Sequence, residues 1–120
     1  MSKLNETWDD RYSLLKFPYL HYGVSVTGVD FDAGVDSGAA VIIATAAITV
    51  ALPTASGGSA GGKGAAYYIK NGSAFVGNVT VTVPGIEKID NAPGPLLLAQ
   101  NEAALLVSDG SNWWILAHNP

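Results

Sequence analysis

Two histidines, a glycine-rich loop, three spaced aspartates and two adjacent tryptophans are the residues of this chain whose types and spacing could do chemistry. Gly57 to Lys63 fits Gly-x-x-x-x-Gly-Lys, the opening of a phosphate-binding loop. Such a loop needs a Ser or Thr next, to hold magnesium, and then a helix whose first amides face the phosphate. Here Gly64 follows, then Ala65-Ala66-Tyr67-Tyr68-Ile69, which reads as a strand, so nucleotide binding is set aside. Gly57-Gly58-Ser59-Ala60-Gly61 in the same stretch fits the Gly-x-Ser-x-Gly elbow of a hydrolase, and Asp90 or Asp109 followed by His118 keeps the hydrolase chain order. An elbow must leave a strand and open a helix. This one opens nothing, and 120 residues are too few for that fold.

Asp30, Asp32 and Asp36 place three carboxylates within one short segment, oxygen donors of the kind calcium takes. They are the chain's weak metal candidates; the spacing misses the helix-loop-helix calcium pattern, and a solvated turn with Asx capping is the preferred reading. A zinc site without cysteines would need both His21 and His118 plus carboxylates. His21, between Leu20 and Tyr22, reads as a packed or interface residue, and His118 lies near the C-terminus. No catalytic residue and no cofactor is assigned, and the chain is read as not being an enzyme. Trp113 and Trp114, adjacent on a strand, must point to opposite faces. One can fill a core while the other faces outward, as an anchor for a partner or a stacking platform for a sugar; one ring in each of two packed layers fits the residues equally. Both are candidates for a ligand-facing role.

The elements that would carry these residues are strands and turns. Val24 and Val26 alternate with Ser25 and Thr27, the period of two that marks a half-buried strand. Val41-Ile42-Ile43 and Ala47 to Leu52 form one or two buried strands, and Thr54 to Gly64 is a Ser/Gly-rich loop. Ala65 to Lys70 is a strand that ends at Asn71-Gly72, a strong hairpin signal. Asn78 to Val83 follows, with Val79, Val81 and Val83 on one face and Thr80 and Thr82 on the other. Pro84-Gly85 turns the chain, and Asn91 to Pro95 is a loop. Leu96 to Ala99, Ala103 to Ser108 and Trp113 to Ala117 are the last strands, with Asp109-Gly110 turning between the final two. About eight short strands at this spacing predict an all-β fold, a small jelly-roll-like β-sandwich or barrel.

Charge divides the chain. Six of the sixteen charged residues (Lys3, Glu6, Asp9, Asp10, Arg11, Lys16) fall in the first sixteen positions. The boundary predicts an N-terminal arm over residues 1–20 and a β domain over residues 21–120. In the arm Trp8, Tyr12 and Leu15 recur at helix-like spacing, with Phe17 and Tyr19 after them. The whole chain is 48% apolar and only 13% charged, about half the usual charged share. Too few charges are present to cover so small a body, so part of its surface should be buried against copies or a partner. A net charge of -4 argues against nucleic acid. The longest apolar run, Ala39 to Leu52, is too short to span a bilayer and no membrane partner is expected. With no cysteine there is neither a disulfide nor a thiolate site. The N-terminal residues lack the apolar core of a signal peptide, which predicts synthesis in a cytoplasm without export.

Thr49-Val50-Ala51-Leu52-Pro53, Tyr68 to Ser73, Gly77 to Thr82, Ile86 with Ile89-Asp90, and Leu105 to Ile115 together resemble a β module of tailed-bacteriophage virion surface proteins. The likeness covers about residues 47 to 116 and is similar to head fibres, capsid decoration or cement proteins, and tail fibre or tail needle knobs. The resemblance implies an all-β subunit, usually trimeric, displayed on the virion and made in the host cytoplasm. There is no stalk, collagen-like repeat or heptad, which is closer to a decoration protein than to a long fibre. The expected function is to decorate and cement the capsid as a homotrimer bound to the major capsid protein. Trp8, Tyr12, Leu15, Phe17 and Tyr19 would anchor it, and Val79, Val81 and Leu105 would form the trimer interface. The alternative is a trimeric tail fibre or needle knob that binds a host surface glycan or protein.

Overall fold

From Gly23 onward the chain changes sheet with almost every strand it makes. The computed structural model describes residues 23–34, 40–57 and 61–119. Its strands are β1 (Val24–Thr27), β2 (Phe31–Asp32), β3 (Val41–Ala44), β4 (Thr49–Ala51), β5 (Ala66–Asn71), β6 (Val79–Thr82), β7 (Leu96–Leu98), β8 (Ala103–Ser108) and β9 (Trp113–Asn119). They form a five-stranded sheet in the order β1-β3-β5-β8-β9 and a four-stranded sheet in the order β2-β4-β6-β7. Among the described residues there is no helix.

Strands β1, β3 and β5 are parallel neighbours in the larger sheet, and β2, β4 and β6 are parallel neighbours in the smaller one. Parallel strands need a long crossover, which a helix usually supplies. Here a strand of the opposite sheet supplies it, so the first six strands make three turns of a flattened coil. The chain then reverses. β7 pairs antiparallel with β6, β8 with β5, and β9 with β8. These three strands extend both sheets past the last turn of the coil.

The space between the sheets is the core. The larger sheet sends in Ile42, Ala44, Ile69, Ala104, Leu106 and Trp113, and the smaller one Phe31, Val50, Val79, Val81 and Leu98, all in one buried cluster. Rows run straight across strands: Ile42, Ile69 and Ala104 are register partners, as are Phe31, Val50, Val81 and Leu96. Each aliphatic side chain buried this way contributes about 1.5–3 kcal/mol.

The fold is therefore the expected all-β sandwich. It is not a closed barrel, and its parallel coil replaces the antiparallel order of a jelly roll. Ala39 to Leu52 holds two strands, β3 and β4, in opposite sheets. The additional strand is β2, which lies in the acidic segment expected to be a plain turn. The Asp109-Gly110 turn joins β8 to β9 as expected, with Gly110 at φ +99°. The Asn71-Gly72 hairpin is overturned, since β5 and β6 lie in different sheets. A two-residue hairpin of that type needs positive φ at both central residues, and neither Asn71 nor Gly72 has it. Instead Gly72 N donates to Ala44 O at 2.8 Å, continuing the parallel ladder. The buried Asn71 side chain meanwhile holds the corner through which the chain crosses to the other sheet.

Candidate interaction surface

The two sheets differ on their outer faces. The outward residues of the smaller sheet include Thr49, Thr80 and Thr82, hydroxyls suited to water. On the larger sheet three rows of outward side chains cross the strands. The middle row is Val24, Val41, Tyr68, Leu105 and Ala117. A second is Val26, Ile43, Lys70, Ala103 and Asn119. The third, shorter row is Ala66, Val107 and Trp114. Lys70 is the one charged residue in these rows, and its Nζ donates to Asn101 O at 2.6 Å at the margin of the sheet. Val24 is 57% exposed, Val26 63% and Tyr68 50%. Contiguous apolar faces of this kind mark interaction sites.

The sequence explains why the face is apolar. A strand with one wet side alternates, whereas Val41-Ile42-Ile43 and Ala103-Ala104-Leu105-Leu106-Val107 are apolar at every position. Continuous runs belong to strands covered on both sides. In β1 the alternation runs opposite to the expected sense, because Val24 and Val26 lie on the outer face with Ser25 and Thr27 turned inward.

Of the residues expected to form an interface, Leu105 stands in the middle row of this face, half-buried. Val79 and Val81 do not belong with it. Both have no exposed surface and pack inside their own protomer, because β6 turns its valines toward the opposite sheet. The anchoring residues Trp8, Tyr12, Leu15, Phe17 and Tyr19 lie outside the described residues, as do His21, Asp36 and Ser59.

Of the two arrangements open to adjacent tryptophans, the structure has the one with a core ring and an outward ring. Trp113 is fully buried. Its ring lies 5.9 Å from that of Tyr67, and its Nε1 donates to Pro53 O at 3.2 Å. Burial also pushes the Tyr67 hydroxyl above its ordinary pKa. Trp114 stands on the outer face, part exposed, with Nε1 donating to Asp109 Oδ2 at 2.7 Å. Trp113 is thus a core residue, and Trp114 alone of the pair is available to a ligand.

The other chemical candidates are occupied with structure. Asp30 Oδ1 accepts from Thr49 N, and Asp32 Oδ1 from Gly34 N. Among the described residues no group of three His, Cys, Asp or Glu is arranged to hold a metal ion. Asp90 Oδ1 accepts from Ile115 N, and His118 Nε2 lies 3.7 Å from Glu102 Oε1. The loop that ends in Lys63 runs into strand β5, which leaves no helix N-terminus for a phosphate.

Among the described residues Asp109 is the one carboxylate whose pKa is visibly lowered. The Asn112 amide, the Trp114 indole and the Ser111 amide all donate to it and favour its charged form. Such a group stabilises the fold above the ordinary carboxylate value, and that contribution is lost as pH falls through the lower folded value. The melting temperature of the native chain is expected to fall more steeply than that of an Asp109→Asn variant as pH drops below the ordinary carboxylate value of about 3.9, with Trp114 fluorescence moving in the same window. Parallel melting profiles would show that the turn does not prefer the carboxylate.

No protein-family model and no curated protein matches the chain.

Proposed function

We propose that this chain is a structural protein of a tailed-phage virion, which decorates and cements the capsid surface as a homotrimer. The observation that supports this reading is the apolar outer face of the larger sheet. It gives a rigid two-sheet body one surface that water covers poorly. The resemblance of residues 47 to 116 to virion β modules points the same way. A body closed against its own copies, with few charges at the contacts, would unfold slowly, which suits a particle that must persist outside a cell. In this reading the aromatic arm grips the major capsid protein and the β body projects from the shell.

The test is cosedimentation of the full chain with tailed-phage capsids. Retention is expected for the native chain and lost on combined Trp8→Ala, Tyr12→Ala and Phe17→Ala substitution, with the fold unchanged. Equal retention of both, or of neither, would refute the arm as a capsid anchor.

One observation favours a second reading, a fibre or needle knob. Trp114 is a part-exposed ring fixed by its bond to Asp109, the form of a platform on which a sugar stacks. Glycan binding that vanishes with Trp114→Ala, and that ignores the arm substitutions, would decide for the knob.

A further inference from the structure

The outer face of the larger sheet has relief as well as apolar character. Tyr68 and Leu105 are cross-strand partners and form a ridge near its middle. On one side a hollow of about 430 Å³ lies over Ala40, Val41 and Ala66, against the ridge. On the other a hollow of about 290 Å³ lies over Ala103, Ala117 and His118. The hollows are there because alanines flank two larger side chains.

We infer that this face is the seat of a second copy of the same chain, with the Tyr68–Leu105 ridge of one copy entering a hollow of the next. The inference rests on the reading of an assembling surface protein and names the surface by which it assembles. Three observations choose the occupant. Ridge and hollow are different patches of one face, so each copy offers a ridge to the next and a hollow to the one before, and a ring closes without a foreign partner. The rows hold no carboxylate and a single lysine, so two copies meet there without opposed carboxylates despite a net charge of -4 per chain. The area also suffices. Five strands about 4.8 Å apart and about 20 Å long present a face on the order of 500 Å². Three such faces closed about one axis, each shared between two neighbours, remove about 1,500 Å², within the range of specific interfaces.

Sedimentation of the full chain over a concentration series tests this, with near-ultraviolet circular dichroism from the buried Trp113 reporting the fold. The native chain is expected to run at a multiple of 12.4 kDa. Leu105→Glu should weaken association at least 100-fold and Tyr68→Ala at least tenfold, while Thr80→Glu on the opposite sheet should leave it unchanged. Should Leu105→Glu fail to fold, Ala117→Lys on the edge strand β9 carries the same expectation. A native chain that stays monomeric at every concentration, or an assembly indifferent to the folded face variants, overturns the inference. An assembly that depends on Leu105 but is not retained by capsids upholds this surface and removes the virion reading. Capsid retention of a chain whose assembly ignores Leu105 does the reverse.

Discussion

Replacing Trp113 with alanine is expected to cost about 4 kcal/mol, the middle of the range for deleting a large buried aromatic. A domain of this size is stable by roughly 5–15 kcal/mol, so the variant should be partly unfolded well below the native melting temperature. Two losses combine. The indole is fully buried and is the largest side chain in the core, where it packs on Tyr67. Its Nε1 is also the donor to Pro53 O. That carbonyl belongs to the segment that leaves β4, which two further contacts hold. Ala55 N donates to the Glu87 carboxylate at 3.0 Å, and Ser108 Oγ donates to Ala55 O at 2.7 Å. Trp113 therefore fixes the crossover between the second and third turns of the coil as well as filling space. Trp113→Phe keeps most of the volume and loses the donor, and should cost about 1–2 kcal/mol. Urea unfolding of the three chains measures both. Equal costs for Ala and Phe would mean that the hydrogen bond, and not the packing, carries the effect.

The second large effect is at Asn71. Its Nδ2 donates to Gly77 O at 3.0 Å and to Leu98 O at 2.9 Å, and its Oδ1 accepts from Ser73 N at 3.1 Å. One fully buried side chain thus ties the end of β5 to the corner before β6 and to β7. Leucine has the same heavy-atom branching and none of these bonds. Asn71→Leu deletes all three bonds inside a buried corner, which is expected to cost about 3 kcal/mol. Amide exchange at Ser73 and in β7 should accelerate before that of β3, because the corner opens first. In Asn71→Asp a carboxylate would face two carbonyls, which disfavours the charged form. That variant should gain stability relative to the native chain as pH falls from 7 toward 4. A corner that tolerated leucine within a few tenths of a kcal/mol would contradict this account of Asn71.

The same residue shows what could be read from the sequence and what could not. Asn-Gly after an alternating strand is locally a hairpin signal, and local signals do not report which sheet the next strand joins. The decision is made by non-local bonds, Asn71 to Leu98 and Gly72 to Ala44. The strands themselves were legible, because Val79 to Thr82 and Ala103 to Ser108 carry their own period or apolar run. The parallel coil was not, because its turns differ in length and leave no repeat. Strand β2 was hidden because Phe31-Asp32 is two residues long and sits among aspartates. Apolar character alone named Val79 and Val81 as interface residues, and it does not distinguish the inner face of a sheet from the outer one. The signal that does distinguish them lay in the runs at 41–43 and 103–107. A strand apolar on both sides must be covered on both, and only one side of the larger sheet faces its own core.

The most direct measurement is the molar mass of the full chain by light scattering behind size exclusion. A stable species at three times 12.4 kDa is the predicted result. A chain that elutes at its own mass, at every concentration and salt condition, would contradict it.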